Sequence, residues 1–400
     1  MPLQNLPSEI LIHILSSTDS LSDLRALAST SRRIYSLFKR DKAALIYQAL
    51  ANALGPVIDD ALGHDEMELL DPQNPDFFGD PVCDVLAHYT GYLEGRDRPT
   101  PCRLSLDQVL RLARSYNVMS ELADLYINHT FKLFNLEVAP VCRPANPPAL
   151  LAPPSRVEWL RVLRAHYRLQ MALHLWMGAK CGRKKKFDAE RVKKANRSLI
   201  LLWEPWEVQQ IACVGNLYRR FSESIAALIN DEPLKREYNY RDVYYSLYKR
   251  REMAEKLKMA DEAGWYKVLD DLSCFRSGDA KMAGLDGTNS LGARQFMYAV
   301  SCMGCIHEPS TGRHQFPVTL CFSGDSVTTV PFAWVDAFDG HYGYNFWNVL
   351  PRIERDGQPT YGLLTLLGYA IWDAPRFKAL KTARFLWHGE TGWARSGTST

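Results

Sequence analysis

Sixteen of the 44 residues from Leu3 to Ile46 are Leu, Ile, Phe or Tyr, and a stretch that short cannot leave so much apolar surface in water. Wetting one Ile or Leu forgoes roughly 1.5–3 kcal/mol, and below about 40 residues a chain rarely sustains a core alone. The surface must therefore meet the rest of this chain or another protein. Spacing sets the local structure. Pro7 has a fixed φ and no N–H, which suits a first helical turn, and Ile10, Leu11, Ile12, Ile14 and Leu15 follow it. These residues cover roughly 200° of a helix surface, wider than the stripe of about 100° on a one-sided helix. Ser20 to Asp23 has the spacing of a capping box ahead of Leu24, Leu27 and Ala28. Ser31 can cap a third helix carrying Ile34, Tyr35, Leu37 and Phe38. Three short helices with brief connections are predicted.

Beyond them the pattern is mostly helical. Gly55 to about Pro101 is rich in Gly, Pro and Asp and reads as less regular, whereas residues 105–138 have helical spacing. Prolines at 140, 144, 147, 148, 153 and 154 cannot continue a helix or a central strand and mark an exposed linker. Val157 to Trp176 is a further helix. Val208 to Ile229 carries the longest unbroken stripe (Ile211, Val214, Tyr218, Phe221, Ile225, Leu228), with Trp159, Trp176, Trp203 and Trp206 expected as core aromatics around it. Asp242–Leu257 and Trp265–Leu272 follow as helices, and Phe316–Phe322 and Ser326–Phe332 as short strands. The expected fold class is mainly α: a three-helix unit at 1–48, an irregular or helical connection at 49–155, and a largely helical body at 156–400.

Hydrophobic residues make up 46% and charged residues 23%, the balance of a folded domain. The longest mostly apolar run, Gly362–Trp372, is too short for a bilayer, which takes about 20 residues, and reads as a buried helix. No basic stretch precedes the first apolar run, so a signal peptide is not expected. Nine irregularly spaced cysteines, an odd number, point to reduced thiols and a cytoplasmic or nuclear setting. A net charge of +3 is too mild to imply nucleic acid. Charge is concentrated only between residues 180 and 200, where nine Lys or Arg face Asp188 and Glu190. That run reads as a solvated loop and helix face, a nuclear localisation signal, or a patch for an acidic partner. Aromatics do not interleave with it, so nucleic acid is not expected there either.

Cys302 and Cys305 with His307 form the one metal-like spacing, but zinc needs four ligands and the second pair (His314, Cys321) is ill-spaced. There is no HExxH, GxxxxGK, GxSxG or GxGxxG pattern. Asp336, Asp339 and His341 read as surface polar groups. No catalytic residue and no cofactor is assigned.

Leu6-Pro7-x-Glu9-Ile10-Leu11-x-x-Ile14-Leu15, then Leu21-x-Asp23-Leu24-x-x-Leu27, then Ser29-Thr30-Ser31-Arg32 with Tyr35 and Leu37, resembles an F-box. Where that family usually has a late aromatic, this chain has Leu45, Ile46 and Tyr47. The resemblance implies a module that docks on the Skp adaptor of cullin–RING ubiquitin ligases, while the rest of the chain recruits a target protein. Carried over, the docking positions are Leu6, Pro7, Ile10, Leu11, Ile14, Leu24, Leu27, Ser31, Arg32 and Tyr35. Leucine-rich repeats and WD propellers, the family's usual substrate readers, are absent from the sequence. Trp203–Val214 and Leu367–Asp373 instead resemble the helical C-terminal regions of F-box proteins of filamentous fungi. Residues 301–347, without helical period, are the candidate target-binding surface. The alternative is an enzyme or metal-binding domain whose first helices only cap its own core. Where Leu6, Ile10 and Leu11 lie distinguishes the two.

Overall fold

The computed structural model describes residues 6–71, 74, 76–101, 103–134, 152–183, 189–204, 206–211, 213–215, 323–333, 368 and 370–382. Among them the secondary structure is helical, in chain order α1 (Ser8–Ser16), α2 (Leu21–Ala28), α3 (Arg32–Arg40), α4 (Lys42–Leu54), α5 (Ile58–Glu68), α6 (Asp80–Leu93), α7 (Leu106–Leu133), α8 (Arg156–Arg183), α9 (Ala189–Leu201) and α10 (Ala374–Thr382). The chain divides into two compact units. The first holds residues 1–128, 153–203 and 323–330; the second holds 129–152, 204–322 and 331–400.

In the first unit, α1 to α3 form where the spacing puts them. Pro7 is the residue ahead of α1. The Ser20 hydroxyl accepts from the Asp23 amide at 3.3 Å and the Ser31 hydroxyl from the Ile34 amide at 3.2 Å, so both serines satisfy orphan donors at helix starts. The inner faces are Leu11 and Leu15 of α1, Leu24 and Ala28 of α2, and Ile34 and Leu37 of α3. All three helices pack on α4, which lies beyond the three expected. Its Leu45, Ile46, Tyr47, Ala49, Leu50, Ala53 and Leu54 are buried, so α4 is the floor that completes a core the first helices are too short to close. Two polar contacts pin it. Asn52 Nδ2 donates to the carbonyls of Ser16 (2.8 Å) and Thr18 (2.9 Å) just past α1. Arg156 Nη2 donates to the carbonyls of Asn52 and Ala53 at 2.9 and 2.8 Å, satisfying the C-terminal end of α4. Gly55, at φ +53°, then turns the chain.

The segment from Gly55 to Pro101, expected to be less regular, is largely helical and supplies the centre of this unit. α5 is buried on every side that matters and packs on α6 and α8. Its low hydropathy hid it, because its buried residues include Asp59, Asp60, His64 and Asp65. Each carboxylate meets a guanidinium from elsewhere. Asp60 pairs with Arg168 of α8 at 2.6 Å, Asp65 takes two bonds of 3.0 Å from Arg111 of α7, and Asp59 is clamped by Arg98, whose Nε lies 2.5 Å away. The Tyr89 hydroxyl of α6 donates to Asp60 at 2.5 Å and accepts from Trp203 Nε1 at 2.9 Å. A β-carbon at Gly63 would sit 2.5 Å from the Tyr89 ring, so glycine is what lets α6 approach α5 this closely. α7 and α8 fall within a few residues of the helices expected at 105–138 and from Val157 onward. Arg161 of α8 is fully buried and donates to the Ser326 carbonyl at 2.8 Å.

The strand expected at Ser326–Phe332 does not form. Thr329 Oγ1 accepts from the Ser326 amide at 3.0 Å and donates to the Gly324 carbonyl at 2.9 Å. These local bonds fold the segment on itself, as short hydroxyl side chains do in turns.

In the second unit, Trp372 is fully buried, its ring 5.9 Å from Phe131 and 5.6 Å from Phe134. The Arg376 guanidinium of α10 stacks over Phe131 and Trp372 at 4.7 and 5.4 Å. The burial matches expectation; the conformation does not. Trp372 lies in a turn ahead of α10, where Gly368 at φ +70° accepts from the Ile371 amide at 2.8 Å. Residues 206–211 and 213–215 are helical, with Val208, Ile211 and Val214 buried. Of the tryptophans expected in the core, Trp203 is buried, whereas Trp159 and Trp206 are half-buried. The remainder of Val208–Ile229, the side chain of Trp176, prolines 140, 144, 147 and 148, and Phe316–Phe322 lie outside the described residues.

Candidate docking surface of the N-terminal helices

The helical period distributes the expected docking residues over two opposite sides. Leu11 (1% exposed) and Leu24 (2%) face the core on α4. Ser31 is a helix cap. Ile10 at 46% and Tyr35 at 55% exposure face solvent, Pro7 and Arg32 are exposed too, and Leu6, Ile14 and Leu27 are half-buried. Neighbouring residues on a helix differ by 100° in direction, and on α1, packed on one side, Leu11 turns inward while Ile10 faces out. The apolar residues on α1 therefore do two jobs: Leu11 and Leu15 hold the unit together, and Ile10 is left over. In the same way α3 buries Ile34 and Leu37 and projects Tyr35 outward.

The outer face of α3 is basic. α3 carries Arg32, Arg33, Lys39 and Arg40 and has no acidic residue. Arg40 is bound to the adjacent Asp41 at 2.8 Å, which together with Glu9 strengthens its hold on its proton. Arg33 reaches back to the Ser8 hydroxyl of α1 at 3.3 Å. Such a surface offers an aromatic and an aliphatic side chain beside cations, residue types common at protein interfaces.

The buried α5 carboxylates Asp59, Asp60 and Asp65 are engaged by arginines, Glu66 by Tyr92 and His88, and burial drives the Tyr89 phenol well above its ordinary range. His166, buried on α8 with Nδ1 2.7 Å from the Val162 carbonyl, is pushed down to about 4 by desolvation, so it stays neutral at physiological pH. Among the described residues no group of three or more His, Cys, Asp or Glu could hold a metal, and no helix is long and apolar enough to cross a membrane. Cys302, Cys305 and His307, the acidic and histidine positions at 336–341, and the rest of 301–347 except residues 323–333 lie outside the described residues. In the basic run, Arg191 and Lys194 of α9 are exposed while Ala195, Leu199 and Ile200 are buried; residues 184–188 lie outside.

Comparison with known proteins agrees with the geometry. Residues 3–43 match the family model of the F-box-like domain, which covers α1 to α3 and stops as α4 begins. No curated protein and no solved structure matches the chain significantly.

Proposed function

We propose, from this N-terminal F-box-like domain, that the protein is a substrate-receptor subunit of a Skp–cullin–F-box ubiquitin ligase. In this reading it is not itself catalytic. The outer faces of α1 and α3 dock on the Skp adaptor, and the region at 156–400 recruits a target protein for ubiquitination. The observation that carries it is the coincidence of the family match at 3–43 with Ile10 and Tyr35 standing exposed on helices that bury Leu11, Leu15, Ile34 and Leu37. A solvated Ile forgoes about 1.5–3 kcal/mol of burial, a cost that makes sense once a partner covers it. Cytoplasmic or nuclear residence follows from this role, and the run at 183–197 fits a nuclear signal.

The burial of Leu11 and Leu15 on α4 has a further consequence: the docking face depends on the rest of the unit, so the test uses the full chain. Full-length protein and purified Skp adaptor should form a stable complex by size-exclusion chromatography. Replacing Ile10 and Tyr35 by Ala should weaken it by about 2–4 kcal/mol in total if both are anchors. Failure of the intact chain to bind, alongside binding by an undisputed F-box protein, would overturn the proposal. The competing reading, in which α1 to α3 merely cap an enzyme or metal domain, accounts for Leu11 and Leu24 but leaves Ile10 and Tyr35 without a purpose.

A further inference from the structure

We infer that Arg32, Tyr35 and Lys39 act together as one recognition stripe for an acidic protein surface, specifically an apolar socket flanked by carboxylates on the adaptor. This rests on the docking role proposed above and adds the partner's chemistry and a residue, Lys39, that the family resemblance did not supply.

The three residues stand at i, i+3 and i+7 of α3, which places them within roughly 60° of one another on the helix surface. All three are exposed, Tyr35 by 55%. The other two cations of the helix are already engaged, Arg33 with Ser8 and Arg40 with Asp41. Arg32 and Lys39 make no hydrogen bond or ion pair among the described residues, so both charges are available to an outside partner. Helix electrostatics explain only one of them. Lys39 lies in the last turn, where a cation is favoured. Arg32 lies in the first turn, where the macrodipole carries about +0.5 charge and disfavours a second positive group, and no acidic residue there offsets it. The cap at this end is made by Ser31, not by Arg32. Arg32 is thus mildly costly to the helix that carries it, and an external carboxylate supplies what the helix lacks. Tyr35 between the two cations selects a protein surface: its ring needs an apolar socket, and Ile10 stands exposed on α1, which packs against α3.

Flanking charges of this kind act chiefly on the rate of encounter, whereas the buried anchor sets the rate of escape. The experiment measures association and dissociation of the full chain with purified Skp adaptor across a salt series. The wild type should associate more slowly as salt rises. The double variant Arg32→Glu/Lys39→Glu should associate roughly tenfold more slowly at low salt and lose most of that salt dependence, with dissociation little changed. Tyr35→Ala should do the reverse, speeding dissociation while leaving the salt dependence in place. Circular dichroism and a thermal melt matching wild type show that the variants fold; Arg32→Gln/Lys39→Gln, which removes charge without reversing it, should fall between. If the wild type does not bind the adaptor, the docking role and this inference fall together. If it binds with a salt-independent rate that the Glu variant leaves unchanged, the docking role stands and the acidic-socket inference alone is overturned. A short DNA duplex serves as the contrast probe: salt-dependent binding to it that Arg32→Glu/Lys39→Glu abolishes, without change toward the adaptor, would assign the stripe to nucleic acid and overturn the inference.

Discussion

The first helices and α5 reverse each other's rule. α1 and α3 leave Ile10 and Tyr35 in solvent, whereas α5 takes Asp59, Asp60 and Asp65 out of it. The buried carboxylates are answered inside the chain, by Arg98, Arg168 and Arg111. The exposed side chains have no such answer among the described residues. A polar group in the core is tolerated when its partner is present; in the reading proposed above, the exposed apolar pair is covered by the adaptor instead. Perturbing α5 should therefore cost stability, and perturbing the outer face of α1 and α3 should cost binding.

The largest effect is expected at Asp60. Both it and Arg168 are nearly inaccessible, at 2% and 4%, so Asp60→Ala strands a buried guanidinium. Breaking a buried pair by removing one partner costs roughly 3–5 kcal/mol, readable as a lower midpoint in urea unfolding. The double variant Asp60→Leu/Arg168→Met should recover most of the loss, which would show that the pair specifies the packing more than it stabilises it. Arg98 and Arg111 are 48% and 37% exposed, and removal of either should cost less, because water can solvate what remains.

Acid should act next, through His166. Its pKa is lowered in the folded chain to about 4 from an ordinary 6.5, so the unfolded chain binds the proton first. The contribution is fully present above pH 6.5 and is lost as pH falls toward 4, on the order of 3 kcal/mol over that window. Thermal melts of the wild type should drop through this range. His166→Phe should flatten the drop, and an unchanged profile would place the acid sensitivity elsewhere.

Gly63→Ala should lower stability by about 1–3 kcal/mol, since its methyl group meets the Tyr89 ring and α6 has to move away from α5. Ser31→Ala should cost about 1 kcal/mol through the lost cap of α3. At the far end of the series, Tyr35→Ala and Ile10→Ala should change stability by less than about 0.5 kcal/mol, as surface substitutions do, while weakening adaptor binding. A marked loss of stability at either position would erase the contrast, because it would mean that these side chains already have a partner within the chain.

Short-range chemistry was legible in the sequence. Ser20 and Ser31 cap the helices their spacing indicates, and the order of motifs from Leu6 to Leu37 coincides with the family match. The centre of the first unit was not legible. α5 carries charge where a core helix usually carries Leu or Val, and its low hydropathy reads as surface until Asp60 is seen against Arg168, 108 residues away. No periodicity encodes a pairing at that distance. Likewise Ser326–Phe332 alternates like a strand, yet a hydroxyl at Thr329 offers the backbone a closer partner than a neighbouring strand would.

On its own, then, the sequence determined that α1 to α3 are helices, where they start, and that they carry more apolar surface than they can hide. Which of those residues would be hidden was decided by α4. The period separates Ile10 from Leu11 and Ile34 from Tyr35 by 100° but is indifferent to direction. Only when Leu45, Leu50 and Leu54 present a floor on one side do Leu11, Leu24 and Ile34 become core, leaving Ile10 and Tyr35 facing outward.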